Sequence, residues 1–94
     1  MSYRVEIDEG ALEEFARLPA KVQERVKRRI DRLAEEPRPA DRRPLHGLLL
    51  RGLWRVRVGD YRISYCVDDV AKVVTVAEVG HRRDIYDRLE RRRH

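Results

Sequence analysis

The chain has 94 residues, enough for one small domain over 1–94 and not for two. Charged residues make up 41% of it and the formal net charge is +5, a balance that points toward an acidic partner but leaves clustering to decide which. Cys66 is the only cysteine, which excludes an intrachain disulfide and a cysteine-based metal site. No apolar run approaches membrane-spanning length, so a soluble cytoplasmic protein without membrane contact is expected.

Tyr3-Arg4-Val5-Glu6-Ile7 alternates and predicts a strand with Tyr3, Val5 and Ile7 inward. Asp8 is a good N-cap for a helix that buries Leu12, Phe15 and Leu18 and stops near Pro19, with Glu9, Glu13 and Glu14 toward its positive end. Pro19 fits the first turn of a second helix. There Val22, Val26, Ile30 and Leu33 recur at three- and four-residue steps, the stripe of a helix packed on a sheet. Lys21, Arg25, Arg28, Arg29 and Arg32 fall away from that stripe or at its margins. Pro37, Pro39 and Pro44 then close the helix and make a stiff, exposed connection.

Trp54-Arg55-Val56-Arg57-Val58-Gly59-Asp60-Tyr61-Arg62-Ile63-Ser64-Tyr65 reads as a β-hairpin around a Gly-Asp turn. A two-residue loop sets Val58 opposite Tyr61, Arg57 opposite Arg62, Val56 opposite Ile63 and Arg55 opposite Ser64. Opposed residues share a sheet face. Trp54, Val56, Val58, Tyr61, Ile63 and Tyr65 therefore line one side, and Arg55, Arg57 and Arg62 the other. Like charges opposed across a ladder are unfavourable, so the second side wants an anion, and a nucleic-acid backbone fits. Asp68-Asp69 makes the next turn, and Val73 to Val79 a strand whose nearly continuous apolar run predicts an interior position. Glu78 tips that strand's parity toward the arginine face, with Gly80 and Arg82. Asp84 to Leu89 is expected to form a short C-terminal helix.

The order of elements gives an α+β fold, a two-layer sandwich. An N-terminal strand and a helical hairpin precede a three-strand antiparallel meander and the short helix. The helices cover the Trp54 and Tyr61 side, because those side chains have nowhere else to be buried. The opposite face stays open.

Several strings resemble the RelE/ParE family of bacterial and archaeal toxins. They are Leu18-Pro19 followed by a helix, Pro44-Leu45-His46-Gly47, the hairpin Trp54 to Arg62, and Val79-Gly80-His81-Arg82-Arg83-Asp84-Ile85-Tyr86. The resemblance covers essentially the whole chain. The family's RelE branch consists of messenger-RNA endonucleases, mostly acting in the ribosomal decoding site and neutralised by a cognate antitoxin. Its ParE branch shares the fold and poisons DNA gyrase. The resemblance implies that Arg55 and Arg57 hold the RNA backbone, that Arg62 and Arg82 contact the scissile phosphate, and that Tyr86 lies near the attacked nucleotide.

The expected function is a toxin that cleaves translated mRNA on the ribosome. RNA supplies the nucleophile in its own 2′-hydroxyl, so neither a metal nor any other cofactor is expected. The expected partners are a cognate antitoxin in a hetero-oligomer, mRNA and the ribosome. A gyrase-inhibiting binding module and a toxin fold without catalysis are the alternatives. The best-known RelE pattern has lysines where this chain has Arg55 and Arg57, and an arginine effectively never gives up its proton. Proton removal then falls to His81, Glu78, Tyr86, a ribosomal group or water. Histidine alone among these protein groups ordinarily titrates near neutrality, but alternation turns His81 off the arginine face unless the strand ends at Gly80.

Overall fold

The computed structural model describes residues 2–45 and 52–81. Its elements in chain order are β1 (Arg4–Ile7), α1 (Glu9–Ala16), α2 (Ala20–Glu35), β2 (Arg43–Pro44), β3 (Trp54–Val58), β4 (Tyr61–Asp68) and β5 (Val73–His81). The strands form one mixed sheet in the order β1-β5-β4-β3-β2. β3, β4 and β5 make the expected antiparallel meander. β1 adds to it in parallel beside β5, Arg4 pairing with Val73 and Ile7 with Val76. β2 is a two-residue edge that places Arg43 opposite Arg55 and Pro44 opposite Trp54. The expected C-terminal helix, Arg82, Tyr86 and His46 lie outside the described residues.

The hydrophobic stripe of α2 packs as its spacing requires. Val26, Ile30 and Leu33 are buried against Val56, Ile63, Tyr65, Val74, Val76 and Val79, with Val22 and Trp54 partly buried beside them. β5 keeps its valines on that core through a bulge. Ser64 pairs with Glu78 but Tyr65 pairs with Val76, which leaves Ala77 as the extra residue. Val74 and Val76 on one side of the irregularity and Val79 on the other consequently share a face, which strict alternation would have denied them. Interior placement between β1 and β4 explains the strand's apolar run.

Two inward assignments change. α1 approaches β5 through Ala11, which is fully buried, with Phe15 and Leu18 following at helical spacing, while Leu12 is 54% exposed. A methyl group at the contact lets the helix axis come close to the sheet, and a leucine there would hold it away. Ile7 is 37% exposed because it ends the edge strand, where the chain leaves for α1. Asp8 does sit at the N-cap, but its side chain makes no capping bond. Its backbone N–H donates instead to Val76 O at 2.9 Å, tying the start of α1 to β5. Pro19 occupies the N-cap of α2 rather than its first turn.

The proline segment after α2 is pinned rather than loose. The Tyr65 hydroxyl, whose pKa burial pushes up to about 12, donates to Pro37 O at 2.8 Å. Arg29 holds both oxygens of Asp41 at 2.6 and 2.7 Å. Arg42 stacks over the Trp54 ring, 4.5 Å from its centroid. Arg38 grips Asp69 with two bonds of 3.0 and 2.8 Å, and Tyr3 OH donates to the same carboxylate at 2.7 Å. One carboxylate thus joins the chain start, the proline segment and the β4–β5 turn.

Hydrogen bonds from Arg38 and Tyr3 lower the Asp69 pKa from 3.8 to about 2. A group depressed on folding stabilises the fold above its unfolded pKa, and that contribution fades as pH falls through the folded one. The stability difference between wild type and Asp69→Asn should accordingly be full near neutrality and shrink between about pH 4 and pH 2. Denaturant titrations across that range measure it. A difference independent of pH would show that the charged carboxylate does not hold this junction.

Candidate functional site

The β3–β4 hairpin turns through Gly59 at φ +60°, the pattern of a turn whose first central residue is glycine. The register that follows is the one expected, from Trp54 opposite Tyr65 to Val58 opposite Tyr61. Arg57 and Arg62 oppose each other, and Arg55 opposes Ser64. On the next strand Gly80 lies opposite Arg62 and Glu78 opposite Ser64, the parity anticipated for both. Gly80 brings no side chain beside Arg62 and is itself buried. Arg57 is exposed, and Arg55 and Arg62 are half-buried.

Arg43 joins this face, because β2 sets it opposite Arg55. Four arginines on three adjacent strands therefore share one surface. Sequence reasoning missed Arg43, since a two-residue strand after a proline segment carries no periodicity. Glu78 is the carboxylate among them and is only 1% exposed. The Arg55 Nε is buried with no hydrogen-bond partner among the described residues.

The face does not stay open as expected: Ser64, Glu78 and Gly80 are buried on it, and Arg43 and Arg57 are the exposed arginines. Leu45 and Leu53 are buried against Cys66 and Ala77, forming a small second cluster at the end away from the hairpin turn.

His81 is not part of it. β5 runs on through His81 instead of ending at Gly80, so alternation keeps the imidazole on the helix side, opposite Tyr61. The two rings meet edge to face, 5.8 Å apart. Arg55, Arg57 and Arg62 are brought together as expected; Arg82 and Tyr86 fall outside the described residues.

Comparison with known proteins places this architecture. The model of the ParE toxin of type II toxin-antitoxin systems, parDE, matches residues 5–86, and the chain belongs to this toxin family. It is 32% identical over 94 residues to the mRNA interferase toxin RelE of Escherichia coli K12, covering 98% of both chains. A structure of an E. coli RelE variant in the free state superposes with a TM-score of 0.78 at 29% identity, over 98% of each chain. An archaeal RelE-RelB complex from Pyrococcus horikoshii gives a TM-score of 0.74 at 33% identity, over 87% of this chain and 97% of that one.

Opposed guanidinium groups destabilise a sheet relative to a neutral pair. An oxyanion seated between Arg57 and Arg62 removes that cost. Replacing chloride by phosphate at fixed ionic strength should raise the unfolding temperature of the wild type more than that of Arg57→Ala. Equal shifts in the two proteins would mean that the pair holds no anion.

Proposed function

We propose that this protein is the toxin of a toxin–antitoxin pair and works in the cytoplasm as an mRNA endoribonuclease of the RelE type, on messages engaged by the ribosome. The observation that carries the reading is the pairing of Arg57 with Arg62 beside Gly80, on a strand face that also carries Arg55 and Arg43. The full-length likeness to RelE mRNA interferases supports it. Relatives solved as RelE-RelB complexes support a cognate antitoxin as the second partner.

The chemistry follows from what that face can do. The ribose 2′-oxygen attacks the adjacent phosphorus and the bond from phosphorus to the 5′-oxygen breaks. The products are a 2′,3′-cyclic phosphate and a 5′-hydroxyl. The 2′-hydroxyl proton leaves to water or to a ribosomal group, and the departing 5′-oxygen takes up a proton. Arg62 binds phosphoryl oxygens as charge builds on them, a preorganised electrostatic contribution. Arg55, Arg57 and Arg43 hold the flanking backbone so that attack is in line. Guanidinium groups suit this role because they bind two phosphate oxygens at once. Permanently charged, they lower the charge cost without accepting a proton. Arg82 and Tyr86 are assigned by family resemblance to the scissile phosphate and the attacked nucleotide.

Cleavage on programmed ribosomes, with gyrase supercoiling run in parallel because the matching family model carries the ParE name, tests the proposal. Arg62→Ala should lower the cleavage rate by about a hundredfold or more while leaving the fold intact, since the side chain stands off the core. A wild type that blocks supercoiling and leaves message whole would reject the nuclease. His81→Ala should retain the wild-type dependence of cleavage rate on pH, because the imidazole faces the helical layer. Loss of a rise between about pH 6 and 7 in that variant would return His81 to the reaction as a base.

A further inference from the structure

Glu78 is the one fully buried charge among the described residues, 1% exposed, and the cleavage chemistry above gives it no part. Burying an ionised carboxylate is costly unless cations and hydrogen bonds surround it, and the register says which cations are near. Glu78 on β5 lies opposite Ser64 on β4, and Ser64 lies opposite Arg55 on β3, so the three form one row across the sheet. The next row toward the hairpin turn is Gly80, Arg62 and Arg57. Glu78 is therefore the diagonal neighbour of Arg62, at a separation of about 7–8 Å that long side chains bridge. Arg55 is two strands away, about 10 Å, with only the small Ser64 between. Arg62 and Arg55, the two arginines nearest Glu78 by register, are half-buried, whereas Arg57 and Arg43 are exposed. Ser64 is fully buried too, and its Oγ has no hydrogen-bond partner among the described residues. The carboxylate is thus not there to satisfy its own ladder partner.

We propose that Glu78 is a positioning residue for cleavage, whose carboxylate holds the Arg62 guanidinium by one edge so that the other edge meets the phosphoryl oxygens. The proposal rests on the nuclease reading and adds to it a group that does not touch RNA. A guanidinium carries five donors in a planar fork, so one edge can bind a carboxylate while the other is left for phosphate. Arginine has many rotamers to lose, and a donor fixed before charge develops contributes more to the transition state than one that must be ordered during it. Burial keeps the carboxylate itself away from the incoming phosphate, which it would repel. Charge alone predicts the opposite sign. Removing a negative charge from a face that meets phosphate should strengthen binding and leave cleavage as fast or faster. Loss of a positioning contact slows cleavage while binding is kept.

Single-turnover cleavage of mRNA on programmed ribosomes tests this, with the full chain varied in concentration to separate maximal rate from half-saturation. Glu78→Gln, which keeps the shape and removes the charge, should lower the maximal rate by about tenfold or more. Half-saturation should fall at the same or a lower concentration. In an Arg62→Ala background the same substitution should cost nothing further, since the group it positions is gone. A rate that holds or rises in a folded variant overturns the proposal. So does a loss that multiplies in full with that of Arg62→Ala, or one confined to weaker half-saturation. The guanidinium N–H resonances of Arg62 in the free protein give a readout that needs no cleavage. They should shift and exchange with water faster in Glu78→Gln, and unchanged resonances overturn the proposal. A wild type that leaves message whole while these resonances still depend on Glu78 would reject the nuclease and uphold the hold on Arg62. If Glu78→Gln fails to fold, Glu78→Asp keeps the charge but withdraws it by one methylene, and the same losses are expected in rate and resonances.

Discussion

Val58 pairs with Tyr61 across two residues, and that one contact decides where every side chain of the β3–β4 hairpin points. Gly59 makes it possible by taking a positive φ that a side chain would strain. A slip of one residue would send Val56, Ile63 and Tyr65 to solvent and Arg55, Arg57 and Arg62 into the core. The hydrophobic layer beneath α2 and the cationic layer above it are two products of the same register. Neither can shift without the other, so the apolar core is what fixes the geometry of the arginine face.

That coupling explains how so small a domain sustains an electrostatically unfavourable surface. The turn-proximal face sets guanidinium against guanidinium, and it persists because Tyr65, Ile63, Val56 and the valines of β5 are buried on the reverse side. The bulge at Ala77 completes the arrangement by letting Val74, Val76 and Val79 face the core while Glu78 and Gly80 stay on the cationic side. Leu45, Leu53, Cys66 and Ala77 close the far end of that side. Toward the turn, Arg57 is exposed while Ser64, Glu78 and Gly80 beside the arginines are buried.

The parts of this design legible in the sequence are those with a period. Alternation around Gly59 gave the hairpin register residue by residue, and the spacing of Val22, Val26, Ile30 and Leu33 gave the buried face of α2. Features set by tertiary contact were not legible. A bulge of one residue leaves no periodic trace, and a two-residue strand has no pattern, so neither Ala77 nor the placement of Arg43 could be foreseen. In α1 hydrophobicity favours Leu12, yet the sheet selects Ala11 because small size governs close approach. His81 depended on where β5 ends, and strand ends are set by pairing partners rather than by the residue itself.

With 22 lysines and arginines against 17 aspartates and glutamates, total charge says little about function here, and the location of the carboxylates says more. Arg29 and Arg38 have Asp41 and Asp69, and Arg42 has the Trp54 ring; these arginines fasten the proline segment to α2, to the β4–β5 turn and to the sheet. Arg55 and Arg57 share their face with buried Glu78, and the β3–β4 ladder opposes Arg57 with a cation. Arg25, Arg28 and Arg32 stand without an ion pair among the described residues. Fold selection accounts for the first group, since each of its members closes a contact that joins two parts of the chain. It does not account for the others, which add like-charge repulsion and close no contact of that kind. An external polyanion accounts for both, because it turns the repulsion into binding energy at the moment of contact.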